Sequence, residues 1–185
     1  MSRFLWTQKR ATGPHRRVGH AMTYDSKRDR VVLFGGDPLL GDRFNDTWEW
    51  DGTDWTQVAD IGPSRRSNHA MTYDSARNRV VLFGGKVGSS LASDTWEWDG
   101  AEWTQVADTG PSPRAEHAIT YDGQRKRATL FGGEATAAVL TNDTWEWNGE
   151  EWTQQEDTGP TPRKNHALVF DGKRARIVLF GGQTG

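Results

Sequence analysis

The chain has 185 residues, with 10 Trp, 21 Gly, no Cys and a formal charge of -2. That length suits one domain with a sizeable core, and a charged share of 26% is ordinary for a folded protein. Zero cysteine excludes disulfides, thiolate nucleophiles, cysteine zinc sites and iron–sulfur clusters. The near-neutral charge argues against nucleic acid or anionic membrane as partner, because both select a basic surface. The longest apolar run is four residues, 31–34, and the Arg-rich first 17 residues lack the apolar stretch of a secretory signal. A cytoplasmic protein is expected.

In chain order, Trp6-Thr7-Gln8 is the first predicted strand, within a closing segment at 4–8. Residues 20–25 form the next, ending in a polar turn at 26–29. Residues 30–34 are rich in β-branched side chains, and the Gly35-Gly36 doublet terminates them. Their unbroken apolar run implies burial on both faces. Thr47-Trp48-Glu49-Trp50 alternates with period two, so both indoles leave one face and Glu49 the other. Asp51-Gly52 makes a tight turn, since an Asx-Gly pair tolerates positive φ, and Trp55-Thr56-Gln57 follows as a strand. Gly62-Pro63 then marks a loop.

The same sequence of elements then repeats. Phe-Gly-Gly begins at Phe34, Phe83, Phe131 and Phe180, with spacings of 49, 48 and 49. His20, His69, His117 and His166 keep that spacing, as do Trp6, Trp55, Trp103 and Trp152. Asp-Thr-Trp-Glu-Trp begins at Asp46, Asp94 and Asp143 and has no fourth copy. No stretch carries a helical period, so the fold class is all-β. A four-stranded sheet of one period cannot bury both its faces, so copies must pack face to face, radially in a β-propeller. The repeat units are about 18–57, 67–105, 115–154 and an incomplete 164–185, together one domain over 1–185.

The glycine doublets, a downstream aromatic (Trp48, Trp96, Trp145) and a further Trp (Trp55, Trp103, Trp152) resemble kelch repeats. Arg17, Arg66, Arg114 and Arg163 match the Arg that opens many kelch units, and the period is near the kelch value of about 50. The likeness to bacterial kelch-repeat proteins covers essentially the whole chain. It implies a kelch-type β-propeller of four-stranded antiparallel blades whose usual work is binding, most often to another protein, through loops at one mouth of the central channel. Some relatives are enzymes, including sialic acid mutarotases and copper radical oxidases acting on galactose. The oxidase cofactor needs a Tyr–Cys thioether, which this composition excludes.

Four periodic histidines suggest a metal site. A chemical site, however, brings unlike groups together, whereas a residue repeated in every blade serves the blade. The histidines are therefore read as blade-building, with no metal and no cofactor expected, and His15 as a loop residue. Arg17, Arg66, Arg114 and Arg163 either ring the channel mouth as an anion site or pair with Glu49, Glu97, Glu146 or backbone carbonyls. The pairing is favoured. Arg28 and Arg30 are expected on solvated surface. No carboxylate pair is marked by spacing as general acid and base, and neither a phosphate-cradling loop nor a nucleophile elbow is present. Asp51-Gly52-Thr53-Asp54 lacks the remaining ligands of a calcium loop and reads as a hairpin turn.

Divergence among the internal copies separates positions that build a blade from those free to drift or contact something. One divergent set follows the doublet: Asp37, Lys86, Glu134 and Gln183. The other precedes the repeated His: Val18-Gly19, Ser67-Asn68, Ala115-Glu116 and Lys164-Asn165. The resemblance places both at one channel mouth, where kelch propellers commonly contact partners. The expected function is a non-catalytic binding module or scaffold for a protein partner. The alternatives are a carbohydrate-binding or carbohydrate-modifying propeller with a polar Arg/Glu/His site, and a fragmentary or engineered array without a ligand. The sequence holds fifteen expected strands, or about 3.75 blades. Four blades in a ring demand turns of about 90°, far from the about 50–60° of the six or seven blades usual in kelch rings. Two chains head to tail give eight at about 45°, so a homodimer closing the ring is expected, with a four-bladed monomer as the alternative.

Overall fold

The structure, a computed structural model, describes residues 12–156 and 158–185, and the expected closing strand at 4–8 lies outside them. The first sheet holds β1 (Ala21–Asp25), β2 (Arg30–Gly36), β3 (Phe44–Trp50) and β4 (Trp55–Ala59), in that order and antiparallel. The second repeats it with β5 (Ala70–Asp74), β6 (Arg79–Val87), β7 (Ser90–Trp98) and β8 (Trp103–Ala107). A two-residue strand, β9 (Arg114–Ala115), leads into the third sheet through β10 (Ala118–Asp122) and β11 (Arg127–Phe131). Its partner β12 (Glu134–Ala135) and a 3-10 turn at Thr136–Ala138 follow, before β13 (Thr144–Trp147) and β14 (Trp152–Glu156) complete that sheet. A hairpin of β15 (Arg163–Asp171) and β16 (Arg176–Thr184) forms the fourth unit, with no third strand among the described residues.

One register recurs in all four units: Ala21 faces Phe34, Ala70 faces Phe83, Ala118 faces Phe131 and Ala167 faces Phe180. The doublet ends the second strand as expected only in the third blade, where β11 stops at Phe131. In the first two blades the strand runs on through a register shift, between Phe34 and Gly36 and between Phe83 and Gly85. Gly85 sits at φ +103°, and a Cβ there would lie 2.8 Å from the Cβ of His69. The bulge therefore needs glycine both for its backbone angle and for the approach of the adjacent segment.

The core lies between blades. Val32 and Phe34 of the first blade pack on Met71, Leu82, Trp98 and Trp103 of the second, and Val81 and Phe83 repeat this against Ile119, Leu130, Trp147 and Trp152. The buried Trp rings need partners for their N–H groups, and the preceding blade supplies them. Trp98 and Trp147 Nε1 donate to Glu49 and Glu97 at 3.1 Å, while Trp103 and Trp152 Nε1 donate to the hydroxyls of Thr47 and Thr95 at 2.8 Å. Arg28 is not the solvated residue expected. Its guanidinium donates to Asp25 at 2.6 Å and to Glu49 at 2.7 Å, tying the first turn to β3. Arg77 repeats the clamp on Asp74 and Glu97.

The inner strands pack in succession, β1 on β5, β5 on β10 and β10 on β15. Among the described residues the arc remains open. Tyr24 on β1 is 52% exposed where its counterpart Tyr73 is 8%, and Phe180 on β16 is 82% exposed where Phe83 is fully buried. The four-bladed ring within one chain is not formed by these residues. No helix among them is long and apolar enough to cross a membrane.

Candidate functional site

The segment leading into each inner strand turns through one left-handed residue: Gly19, Asn68, Glu116 and Asn165, at φ +62°, +56°, +60° and +56°. Glycine and asparagine adopt that conformation most readily, which explains three of the four. These residues pass a backbone hydrogen bond from blade to blade. Asn68 N–H donates to Gly19 O at 2.6 Å, Glu116 N–H to Asn68 O at 2.9 Å, and Asn165 N–H to Glu116 O at 2.8 Å.

The two divergent sets meet directly. Val18 bridges Asp37, Ser67 bridges Lys86, Ala115 pairs with Glu134, and Lys164 pairs with Gln183. Their side chains form a network of alternating charge across three blades. Lys86 Nζ donates to Glu116 at 2.7 Å, Lys164 Nζ lies 3.2 Å from the other Glu116 oxygen and also pairs with Glu134, and Asn165 Nδ2 donates to Glu116 at 3.1 Å. Burial opposes ionisation of Glu116, but hydrogen bonds from Lys86 and Lys164 outweigh it and hold its carboxyl below the usual range. Asp37 stands in the first blade, with Arg43 Nε 3.4 Å away, and Gln183 is exposed on β16. Ser67 is buried, so its side chain presents nothing at this face.

The arginines have a different occupation. Arg17, Arg66 and Arg114 each grip an aspartate with two nitrogens, Asp46, Asp94 and Asp143, at 2.6 to 2.9 Å. Each also donates to the first carbonyl of its glycine doublet, Gly35, Gly84 or Gly132. The carboxylates are thus the aspartates that open each third strand, not Glu49, Glu97 and Glu146. The reason is the bulge, which brings the doublet carbonyl and the aspartate to one spot. Arg163 donates to Gly181 O and to Thr161 but meets no carboxylate among the described residues, because its unit lacks the third strand. Arg66 and Arg114 are enclosed and serve the blade.

Loops between the second and third strands rise around this face. One groove, of about 530 Å³, runs between Lys86, Gly88, Leu91 and Pro113 on one side and Glu134 and Ala138 on the other. A neighbouring one, of about 610 Å³, lies between Asp37, Arg43 and Asn45 and the Arg65 and Gly88 of the second blade. Leu39, Leu40 and Val139 stand on these loops with their apolar side chains in solvent, Leu40 at 89% exposure. Divergence among the repeats does not mark these residues, but the apolar Leu39-Leu40 pair between Pro38 and Gly41 is a visible signal in a loop.

The family model of the KLHDC2/KLHL20/DRC7 Kelch-repeats domain matches residues 1–182. The chain belongs to the kelch-repeat family. A solved structure, that of YjhT, is similar in fold at a TM-score of 0.63 and 17% identity. The match covers 77% of this chain and 46% of that one, so this chain spans less than half of that protein's length. No curated protein sequence matches.

In the kelch blades the repeated histidines are structural neighbours of the doublets. His69 and His117 lie edge-on to Phe34 and Phe83, with ring centroids 5.5 Å away. Burial first, and then the charges of Arg66 and Arg114, push both imidazoles down to about 3, so they are neutral at physiological pH. Among the described residues no group of three or more His, Cys, Asp or Glu converges as metal ligands.

Proposed function

We propose that this kelch chain is a non-catalytic binding module that recognises a protein partner through the mouth bearing the Lys86–Glu116–Lys164–Glu134 network. The observation that carries the reading is the pairing of solvent-exposed Leu39, Leu40 and Val139 with open grooves on the same loops. Exposed apolar residues rimmed by charge suit a protein surface. Shallow grooves suit it better than a small substrate, which is usually enclosed on most sides. The kelch fold is commonly used for protein interaction. The reading includes a cytoplasmic setting and a homodimer in which two chains share one ring.

The test is affinity capture with three baits: the unchanged chain, Leu40→Asp and Lys86→Glu. A protein retained by the first and lost by both variants, at unchanged melting temperature, supports the mouth as the recognition surface. Retention indifferent to both substitutions overturns it. A glycan array with the same three proteins reports on the carbohydrate-binding alternative.

A further inference from the structure

The internal blade contacts are copies of one design, and the two ends of the arc carry its two unmatched halves. Each matched contact seats the Phe before the doublet against the next blade's His and fourth-strand Trp. Phe34 meets His69 and Trp103 edge-on at 5.5 and 5.2 Å, and Phe83 meets His117 and Trp152 at 5.5 and 5.3 Å. The doublet completes the seat. A Cβ on Gly35, Gly84 or Gly132 would lie within 2.8 Å of the next blade's Arg carbonyl.

At the trailing end, nothing among the described residues fills this seat. Phe180 is exposed beside Val169 and Val178, and a Cβ on Gly181 would meet nothing within 4 Å. At the leading end, the filling group has no seat. Met22 and Tyr24 are exposed, whereas Met71 and Tyr73 at the same register are buried. The Trp55 Nε1, whose counterparts Trp103 and Trp152 bond to a threonine of the preceding blade, has no acceptor among the described residues. Among the described residues the two ends do not meet: no hydrogen bond joins Gly19 to Asn165, while every intervening pair in that series has one.

We infer that the trailing face of β15–β16 takes the leading face of the first blade of a second copy. Phe180 and the Gly181 hollow receive His20 and Trp55 of that copy, and Val169 and Val178 cover its Met22 and Tyr24. The contact is heterologous, so two chains close only when each gives one face and takes one. This assignment rests on the two-chain reading and is independent of what the mouth binds. A second copy is the fitting occupant because its leading face repeats, at the His and Trp positions, the surface that the first two internal seats already accept. The seat is half-sized, since the described fourth unit offers no third strand to supply the counterparts of Glu49 for Trp50 and of Thr47 for Trp55.

The experiment is sedimentation equilibrium on the full chain, with Phe180→Asp and Tyr24→Asp, both at exposed positions. The unchanged chain is expected at twice 20.8 kDa in the micromolar range. Each variant is expected to weaken association about tenfold or more, as for loss of a central aromatic contact, with its circular dichroism spectrum unchanged. Mixing the two variants is expected to restore a single unblocked contact and yield a weaker dimer. An unchanged chain that remains at 20.8 kDa overturns the two-chain reading. A dimer indifferent to both substitutions overturns the face assignment alone, and growth into longer assemblies overturns closure by two chains.

Discussion

Gly85 and Gly133 combine positive φ, +103° and +106°, with neighbours 2.8 Å from where a Cβ would stand. Strain and overlap therefore act together, and Val at either position is expected to cost more than about 1 kcal/mol. Urea unfolding measures this, and an unchanged midpoint contradicts the role. The histidines make a second prediction at this scale. His69 and His117 remain neutral in the fold down to about pH 3, whereas the unfolded chain protonates them below about 6.5. Unfolding then takes up protons. Stability is full above about pH 6.5 and falls as pH drops towards 3, by on the order of 1 kcal/mol per unit for each residue. Asp94 and Asp143, held low against the burial that opposes them by Arg66 and Arg114, add loss in the same direction once pH falls through the carboxylate range. A urea midpoint that is flat between pH 6.5 and 4.5 contradicts this account.

Each blade adds one layer to the arc, and the third strand carries much of the coupling. Glu97 accepts from Arg77 of its own blade and from Trp147 of the next. Glu97→Ala leaves the buried Trp147 indole N–H without its acceptor and Arg77 with Asp74 as its remaining carboxylate, which is expected to cost about 2 kcal/mol or more. Lys86→Ala and Glu134→Ala touch only the partly exposed mouth network, where Glu116 keeps Lys164 as partner. Their stability is expected to stay within about 0.5 kcal/mol of the unchanged chain while partner binding weakens. Calorimetry with the captured partner separates the two behaviours. Equal losses of binding across all three variants contradict the division between building and contact positions.

The described blades form a quasi-one-dimensional stack, stabilised by nearest-neighbour contacts that the ends of the described arc lack. If a second copy supplies those contacts, folding is linked to association, and the melting temperature rises with protein concentration. Scanning calorimetry over a hundredfold concentration range is expected to show that rise, and to show it abolished in Phe180→Asp. A concentration-independent melting temperature for the unchanged chain contradicts linkage.

Repetition makes most of the architecture readable from the sequence. The period of 48 to 49, the alternation in Thr47-Trp48-Glu49-Trp50 and the Asx-Gly turns are local signals, and local backbone preference acts the same way in every copy. Comparing copies also picked out Lys86, Glu116, Glu134 and Lys164, which the fold joins in one network. Which carboxylate each arginine grips was not legible, because Asp46 and Glu49 differ by three positions in sequence and only the bulge at Gly35-Gly36 selects between them. The role of Arg28 was hidden for the same reason: a turn residue looks solvated until β3 brings Glu49 beneath it. The sequence by itself determined strand, turn and repeat, since those depend on neighbours along the chain. Only the tertiary structure decided the ion-pair partners, the depressed histidines and the two unmatched faces, since those depend on which blade stands next.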